Sequence, residues 1–347
     1  MTLTRQQLDV WTRRAAIGLA SLLVIASIIV AVLWHDRPQL GEIAWPSYPE
    51  YEPRADAVTV TWLGVTTLLF DDGDTQILID GFFSRPSVAD ILFSTKVQSN
   101  AAQINLVMDE YQMRRLAAII PVHSHFDHAM DIGAIANRSS ASIIGSETTA
   151  NIARGAGVPE DQIVIAESGS DYDFGDFSVR IIDSEHAPLG WGRSVPFAGT
   201  VDTPLELPAP VNAWRAGKSY SLVVMHPQGT TLVQGSAAFL PGALDEVDAD
   251  VVMLGVFGLE NFGREYADKY WLSMVTSTGA KRVIPIHFDD YTRPFGDIQL
   301  SPRIIDNFVD TAELLDDIRE TWDNDARLHL PVFGKPLVLY PLPDPDA

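Results

Sequence analysis

Cysteine is absent from this chain of 347 residues. Its absence excludes disulfide bonds and thiolate metal ligands, so a bound metal would have to be held by histidine and carboxylate side chains. Positive charge is also scarce, since 24 Lys and Arg residues stand against 46 Asp and Glu residues, a formal net charge of −22. Nucleic acids are bound through basic surfaces, so no nucleic-acid partner is expected.

Several sequence motifs of other enzyme classes are missing as well. The chain has no serine-nucleophile motif, no glycine-rich phosphate loop and no dinucleotide fingerprint, because the segment at 255–258 lacks the strand–glycine–helix context. The composition, 46% hydrophobic and 20% charged, is that of a folded protein rather than a disordered one. The length is sufficient for one large domain or two ordinary ones.

A long apolar run near the amino terminus predicts a membrane helix. Residues 15–34 carry no charge, and a run of this length spans the hydrocarbon core of a bilayer. Arg5, Arg13 and Arg14 precede the run and only Arg37 follows it closely, which places residues 1–14 in the cytoplasm and the rest outside. The alternative is a cleaved signal peptide, but the run exceeds a usual signal-peptide core and no small-residue cleavage site follows it. We therefore predict a single-pass protein of the cell membrane.

The remainder of the chain divides into a connection and one folded domain. Residues 35–56 are rich in proline and have little periodicity, as in a linker or a strap across the domain. The domain is predicted at 57–347, with hairpins followed by strand–helix units in each half. This order predicts an α/β fold of two similar halves, packed sheet to sheet with helices outside. The predicted strands are 58–63, 66–70, 76–80, 116–122, 177–182, 220–225, 230–234, 251–254, 282–286 and 335–340, and the predicted helices are 129–138, 147–155, 266–278 and 304–322.

One segment, 187–218, has no regular pattern over an unusual length. It contains Trp191 and Trp214 together with several prolines and glycines. Long irregular segments in compact domains are usually lids or binding loops, so we predict a lid-like insertion here. The two tryptophans are open to two interpretations, as an apolar cover for a lipid-like substrate or as side chains that only pack the lid.

The most informative motif is His123-Ser124-His125-Phe126-Asp127-His128, which holds three of the eight histidines of the chain. In an extended segment, residues i and i+2 point to one side, so His123 and His125 are able to bind one metal ion. Asp127 and His128, at the turn into the next helix, are placed for a second ion or for metal-bound water. Imidazole and carboxylate ligands favour zinc, with manganese and iron as alternatives.

Two further histidines follow predicted strands. His186 and His287 each lie just beyond a strand end, where α/β folds collect functional groups. Since the histidine cluster needs partners, we predict that both are metal ligands. His226 is interpreted as structural, and no role is assigned to His35 or His329.

In this order along the chain, these residues together with Asp80 resemble the metallo-β-lactamase-fold hydrolases. The segments Trp62-Leu63-Gly64, Thr67-Leu68-Leu69 and Ile79-Asp80-Gly81-Phe82-Phe83-Ser84 are similar to the branch that contains N-acyl-phosphatidylethanolamine phospholipase D and ascorbate-6-phosphate lactonase-like proteins. The resemblance spans about residues 57–290. It implies an αββα sandwich with one or two metal ions at the edge between the sheets.

The resemblance also implies how the ligands divide. His123, His125 and His186 would form a first site, and Asp127, His128 and His287 a second, with Asp80 accepting an N–H from a ligand histidine. One residue departs from the family pattern, because Ser236 stands where a metal-bridging aspartate is usual. Three alternatives follow: one tightly held metal, two metals bridged only by hydroxide, or a substitute carboxylate. Asp289 is the nearest substitute, and its other interpretation is a structural, helix-capping or ligand-supporting carboxylate.

The function implied is metal-dependent hydrolysis of an ester, a phosphodiester or a lactone, with a lipid-like substrate favoured by the anchor and the lid. The metal would activate water, and Asp127 is the predicted catalytic residue that orients the water and carries protons. The alternative is a non-catalytic, metal-binding or ligand-sensing ectodomain, which Ser236 supports. Hydrolysis of β-lactams is less favoured, and residues 291–347 are predicted to be structural.

Overall fold

A computed structural model describes residues 5–47, 57–322 and 325–340, except the side chains of residues 6–10. The described part of the chain contains sixteen strands and eight α-helices. The strands are β1 (Val58–Trp62), β2 (Leu68–Asp71), β3 (Gln76–Ile79), β4 (Lys96–Val97), β5 (Leu116–Ile120), β6 (Ser142–Gly145), β7 (Ile163–Ile165), β8 (Asp171–Phe174), β9 (Phe177–Ser184), β10 (Ala209–Pro210), β11 (Ser219–His226), β12 (Gly229–Gln234), β13 (Val251–Gly255), β14 (Arg282–Ile286), β15 (Arg327–Leu328) and β16 (Pro336–Tyr340). The helices are α1 (Arg5–His35), α2 (Val88–Leu92), α3 (Ala101–Glu110), α4 (Phe126–Ala129), α5 (Ile132–Ser139), α6 (Glu147–Gly155), α7 (Arg264–Trp271), which continues as a π-helical turn over Leu272–Thr276, and α8 (Phe308–Trp322).

Two seven-stranded sheets form the domain, and their internal order is the same. The first runs β16-β1-β2-β3-β5-β6-β7 and the second runs β8-β9-β11-β12-β13-β14-β15. In each, the first three pairings are antiparallel and the last three are parallel. The two similar α/β halves predicted from the order of hairpins and strand–helix units are therefore present.

The layers follow from the alternation of side chains along the strands. On β3, Ile77 and Ile79 belong to the core between the sheets, whereas Leu78 packs on the opposite face. That opposite face is covered by apolar residues of helices, among them Val107 of α3 and Ile152 of α6. Tyr270 of α7 packs against the second sheet in the same way. Successive strand residues point to opposite faces, so a sheet with both faces apolar must be covered twice. The predicted αββα sandwich is confirmed.

The last strand of the chain completes the first sheet. Strand β16 pairs antiparallel with β1, and Leu337 and Leu339 on it are buried. The edge strand predicted at 335–340 is present here, and it joins the two ends of the domain in one sheet.

Other local predictions differ from the structure at definable points. The helix predicted at 304–322 begins only at Phe308, because residues before it form a turn. The helix predicted at 129–138 is divided into α4 and α5. Helix α3 was not predicted, although its buried Ile104, Val107 and Met108 have helical spacing and Asn100 caps its first turn.

The apolar run forms part of α1. The most apolar 18-residue window of Trp11–His35 has a mean hydropathy of 2.8, and none of this window is buried in the domain. Within the described residues this is the one helix whose length and composition suit a membrane span. The chain after it lies against the domain: the Arg37 guanidinium donates to Asp290 and to the Leu300 carbonyl, both at 2.7 Å. Residues 48–56 of the predicted linker lie outside the described residues.

The predicted lid is an irregular segment that is fastened to the domain at several points. Strand β10 within it pairs with β4, and Trp214 near its end is fully buried. Trp191, in contrast, is completely exposed. The packing interpretation therefore applies to Trp214 and not to Trp191.

Candidate metal centre

The predicted site residues come from both sheets and meet at one edge of the sandwich. His123 and His125 lie in the loop after β5, and Asp127 and His128 lie on α4, the first helical turn after that loop. His186 lies two residues beyond β9, and His287 directly follows β14. The six side chains form two groups in space, His123–His125–His186 and Asp127–His128–His287, with ligand atoms in each group within 4.8 Å of one another.

The first group consists of three imidazoles. The His123 Nε2 and His125 Nδ1 atoms lie 3.1 Å apart, and the His186 ring lies 4.6 Å from that of His123 and 4.7 Å from that of His125, between ring centroids. Nδ1 of His186 lies 2.7 Å from the Ala187 carbonyl oxygen, which has to accept from it. A neutral His186 ring therefore keeps Nε2 unprotonated and available as a ligand.

The second group is centred on the Asp127 carboxylate. Asp127 Oδ2 lies 3.5 Å from His128 Nε2 and also 3.5 Å from His287 Nε2. The two groups adjoin, since the His123 and His128 ring centroids are only 3.9 Å apart. The arrangement is thus two neighbouring sets of three potential ligands.

The ligand spacing and the kinds of donor atom both fit a metal. Donor atoms about 2.0–2.1 Å from a tetrahedral zinc are roughly 3.3 Å from one another, close to the separations seen in both groups. The donors are five imidazoles and one carboxylate, the ligand types that zinc and similar cations prefer in a site without cysteine. The residues present therefore fit a bound cation.

The electrostatics keep the first group neutral. Burial lowers the pKa of His125 to about 4 and the pKa of His186 to about 3, and it lowers the pKa of His123 well below its usual value. At neutral pH each of the three rings is therefore uncharged, with one nitrogen protonated and the other carrying a free electron pair. A metal can be bound without displacing protons from them.

The second group differs from the first in its charge, because it contains a carboxylate. Burial acts to raise the pKa of Asp127, but the imidazoles of His128 and His287 outweigh it and lower that pKa well below its usual range. For His128, burial acts to lower the pKa, yet the carboxylates of Asp127 and Asp80 more than offset it. Asp127 is therefore ionised wherever the protein is folded near neutral pH.

The Asp80 carboxylate contacts the His128 imidazole on its Nδ1 side, as the resemblance implied. Its Oδ2 lies 2.7 Å from His128 Nδ1, and the Thr66 hydroxyl contacts both groups. The other oxygen, Oδ1, accepts from the Val122 backbone N–H at 2.8 Å. All of this is fully buried. The Asp80 carboxylate thus orients the His128 imidazole, so that its Nε2 atom faces Asp127 within the second group.

Strained backbone accompanies these contacts. Asp80, His287 and Val65 have φ values of 57°, 59° and 50°, in the left-handed region that residues other than glycine seldom occupy. The His287 N–H donates to the Val65 carbonyl at 2.9 Å, and this hydrogen bond joins two of the three strained residues. Each such residue costs about 1–3 kcal/mol and persists only where its surroundings hold it.

Ser236 and Asp289 can now be distinguished. The Ser236 hydroxyl accepts from the Ala187 N–H at 2.9 Å and lines the cavity beside the ligands. Asp289 accepts from the Val65 N–H at 2.7 Å and pairs with the buried Arg85 guanidinium at 3.3 Å. Since both Asp289 oxygens are engaged away from the two groups, the structural interpretation of Asp289 is favoured over a substitute bridge.

A small cavity of about 90 Å³ lies over the two groups. The lid contributes Leu189, Pro196 and Phe197 to its wall, and Phe257 and Tyr291 form the other side. The Phe197 ring lies 6.0 Å from His125 and the Phe257 ring 5.3 Å from His287, between centroids. The cavity therefore has potential metal ligands on its floor and apolar side chains around its rim.

Tyr291 shows what the sequence analysis missed. The residues from 291 onward were predicted to be structural, and for Tyr291 this was wrong, because its side chain lines the cavity. Burial and the nearby Asp127 carboxylate raise the pKa of Tyr291 well above its usual value, so its hydroxyl remains a donor. Its place four residues beyond His287 was the signal available in the sequence.

Comparisons with known proteins agree with this description. No protein-family model matches the chain. A UPF0173 metal-dependent hydrolase of Myxococcus xanthus is 26% identical over 150 residues, 43% of this chain and 46% of that protein. A probable L-ascorbate-6-phosphate lactonase of Salmonella newport is 24% identical over 141 residues, 35% of this chain and 40% of that protein. The chain thus matches less than half of the length of these relatives.

Among solved structures, a possible metal-dependent hydrolase from Veillonella parvula has a TM-score of 0.50 and 16% identity, covering 82% of this chain and 100% of that one. CmlA, a diiron β-hydroxylase from Streptomyces venezuelae, also has a TM-score of 0.50, with 12% identity, covering 83% of this chain and 55% of that one. At these identities the likeness concerns the fold alone.

The αββα fold and the two ligand groups are those that the resemblance to the metallo-β-lactamase-fold hydrolases implied. The resemblance to metal-dependent hydrolases, predicted from the HxHxDH motif and its partners, agrees with the relatives of 24–26% identity and with the fold. The relatives that match in sequence are named metal-dependent hydrolases and lactonases.

Proposed function

We propose that this protein is a metal-dependent hydrolase that acts on an ester, a phosphodiester or a lactone. The observation that carries the proposal is the pair of adjoining ligand groups on the floor of an otherwise apolar cavity. A cavity with a few convergent polar groups and perturbed pKa values is typical of an active site. The lactonase among the relatives supports the same class of chemistry.

His123, His125 and His186 would hold one metal, and Asp127, His128 and His287 would hold a second. The imidazole-rich ligands favour zinc, with manganese or iron as alternatives. When bound, the metal would lower the pKa of water and polarise the oxygen of the scissile group. The chain itself then has to position the water, move its proton and exclude bulk solvent.

Asp127 is the residue proposed to position the water and to carry the proton. Its carboxylate is ionised and lies between two imidazoles of the second group, which hold it in place. An ionised carboxylate accepts hydrogen bonds from water and takes up a proton when water attacks. Tyr291, which keeps its proton, is available to donate to an oxygen of the substrate.

The rim of the cavity indicates the class of substrate. Leu189, Phe197 and Phe257 offer apolar contact, and Leu189 is also partly exposed at the surface. The cavity holds only a few water molecules, so a larger substrate requires the lid to move. A lipid-like molecule with its reactive bond at the polar end suits this arrangement.

We further propose that α1 anchors the domain of residues 57–347 to the cell membrane. Residues 15–34 would span the bilayer with residues 1–14 in the cytoplasm and the domain outside. The apolar face of α1 is unburied along its entire apolar window, which supports contact with lipid. Protease digestion of intact spheroplasts should remove the domain and leave the amino terminus protected; protection of both would contradict this topology.

Hydrolysis by the full chain in detergent, loaded with zinc, manganese or iron, tests the enzymatic proposal. The substrates are p-nitrophenyl esters of increasing chain length, bis-p-nitrophenyl phosphate and lactones. We expect Asp127→Asn to lower kcat/KM by about 10²- to 10⁴-fold and His186→Ala to abolish turnover. His226→Ala is the matched control, since His226 lies outside both groups. Inactivity on every substrate, with no metal retained, would refute the proposal.

The second candidate is a non-catalytic ectodomain that binds a metal or senses a ligand. Ser236 favours it, because the hydroxyl is neutral and is occupied by the Ala187 N–H. This candidate predicts stoichiometric metal in the purified protein, no turnover of any substrate and a His186→Ala variant that keeps its biological function.

A further inference from the structure

Ile304 and Ile305 are an exposed apolar pair beside the end of α1. We propose that they insert into the membrane interface next to α1 and fix the orientation of the domain on the bilayer. This inference rests on the proposed membrane anchor and goes beyond it, since an anchor alone does not specify which surface of the domain faces the bilayer.

The pair is presented by a rigid turn. The N–H groups of Ile305 and Asp306 both donate to the Pro302 carbonyl, at 2.7 and 3.1 Å. Asp306 is buried and accepts from the Gly258 N–H at 2.7 Å, which fixes the far side of the turn. Ile304 is nevertheless 51% exposed and Ile305 45% exposed. The turn thus presents two apolar side chains to its surroundings on a backbone that is held in place.

The turn is tied to the point where the chain leaves the apolar helix. The Arg303 N–H donates to the Asp36 carbonyl at 2.9 Å, and its guanidinium lies 3.6 Å from the Asp36 carboxylate and 2.9 Å from that of Glu42. Asp36 follows His35, the last residue of α1. Arg303, which directly precedes the two isoleucines in the chain, therefore contacts Asp36 at the end of the proposed span.

The segment that follows α1 is held closely against the domain. Arg37 is held by Asp290 and by the Leu300 carbonyl, Pro38 is buried, and the Trp45 indole N–H donates to Asp316 at 3.0 Å. Because the chain is bound to the domain directly after the helix, the surface around Asp36 has to lie at the membrane boundary. Amphipathic surfaces at this boundary bury apolar side chains about 5–10 Å deep.

The charges around the pair point to an apolar contact and not to an electrostatic one. The nearby cations Arg37 and Arg303 are both paired with carboxylates. The whole chain carries a net charge of −22, which opposes anionic lipids. Insertion should therefore be independent of the anionic lipid content of the membrane and of salt.

The orientation bears on access to the cavity. Asp290, the partner of Arg37, is followed by Tyr291, whose side chain lines the cavity. The strap that leaves the membrane is thus one residue away from the wall of the metal centre. The cavity would therefore lie at a fixed height above the bilayer surface, and an amphiphilic substrate leaving the bilayer would enter it there.

The absence of cysteine makes the test direct, because each introduced cysteine is the single labelling site. The full chain is reconstituted into phosphatidylcholine nanodiscs with an environment-sensitive fluorophore on Ile305→Cys, Ile25→Cys or Ile165→Cys. Ile165, on edge strand β7, is the matched control at 42% exposure, and Ile25 reports on α1. Quenching is compared between lipids that carry a nitroxide near the headgroup and lipids that carry it deep in the chain.

We expect the label at 305 to be quenched at least about twofold by the shallow nitroxide, the label at 25 to be quenched mainly by the deep one, and the label at 165 by neither. Phosphatidylserine or 1 M salt (roughly a 3 Å screening length) should not change the result at 305. Quenching at 25 without quenching at 305 overturns the inference and leaves the anchor standing. No quenching at 25 refutes the anchor itself. A last outcome is that unlabelled Ile305→Cys chains cross-link to each other while the fluorophore at 305 is shielded from lipid. This would show that a second copy covers the pair and would also overturn the inference.

Discussion

At the scale of single residues, the chemistry of the centre depends on Ser236. It lies at the end of β12 and lines the cavity that both ligand groups share, yet it brings a neutral hydroxyl. Gly235 before it is required by space, because a Cβ there would lie 2.4 Å from a Val122 methyl carbon. The backbone therefore approaches the centre closely, and the side chain at 236 decides how much negative charge the centre contains.

We predict that Ser236→Asp tightens the binding of a second metal by about tenfold or more, because a carboxylate offsets the repulsion between two cations. Metal content after graded chelation, measured by mass spectrometry, checks this. Ser236→Asn, similar in size but neutral, is the control and should behave like the parent chain. Equal metal retention by the Asp and Asn variants would show that residue 236 does not face the metals.

A second residue-scale prediction concerns Asp306, away from the ligands. Burial and the neighbouring Glu260 carboxylate raise the pKa of Asp306 well above its usual value. The folded chain therefore holds this proton more tightly than the unfolded chain, so the contribution to stability is complete below the ordinary aspartate pKa near 4 and is lost as pH rises through the folded pKa. Asp306→Asn keeps the acceptor for the Gly258 N–H without titrating.

The difference in unfolding free energy between the parent chain and Asp306→Asn should therefore shift with pH. Going from acidic to neutral pH, the parent chain should lose stability relative to the variant. Denaturant midpoints measured by circular dichroism at several pH values check this. A constant difference would mean that Asp306 is not protonated in the fold.

At the scale of elements, the two tryptophans of the lid differ in their packing. Trp214 is fully buried among residues of the helical layer, while Trp191 in the same segment is fully exposed. The lid is fastened by the pairing of β10 with β4 and by the hydrogen bond from the Ala216 N–H to the Phe197 carbonyl at 3.1 Å. Trp214 therefore belongs to the packed part of the lid and Trp191 to its exposed part.

We predict that Trp214→Ala lowers the free energy of unfolding by about 3–5 kcal/mol, because it removes a buried aromatic side chain. Trp191→Ala, in the same segment, should change it by less than about 0.5 kcal/mol. Denaturant unfolding in detergent, followed by far-ultraviolet circular dichroism, compares the two. Similar losses for both would show that the exposed tryptophan packs against the domain.

At the scale of the whole molecule, residues from both ends of the domain build one sheet. Strand β16, near the end of the chain, pairs with β1, and Arg282 of β14 reaches the carbonyl of Val338 on β16 at 3.2 Å. The two sheets are therefore joined through the last strand as well as through the core between them. Long-range pairing of this kind makes folding slow and cooperative.

We predict that Leu339→Ala on β16 costs about 2–5 kcal/mol and lowers the stability of both sheets in one transition. Leu92→Ala is the control, since Leu92 is 72% exposed on α2. Hydrogen exchange followed by mass spectrometry reports on β1 and β13 separately. Faster exchange in β1 alone, with β13 unaffected, would show that the sheets unfold independently.

The features predicted directly from the sequence are those that depend on local spacing. The HxHxDH run needed only neighbouring residues to indicate a metal site, and the uncharged residues 15–34 needed only length and composition to indicate a span. His186 and His287 followed from their places after strands. The αββα layers followed from the order of hairpins and strand–helix units, since alternation along a strand determines which faces are covered.

Which distant side chains meet could be seen only from the way the chain packs. Asp289 could be assigned to Arg85 and Val65, away from the metal groups, only when the loops that follow β1 and β14, strands of different sheets, were seen to meet. Tyr291 and Phe197 reach the cavity from segments without a motif, and Ile304 reaches the end of α1 through Arg303. The physical reason is the same in each case: these contacts join residues far apart in the chain, and no periodicity in either segment records the partner that packing brings to it.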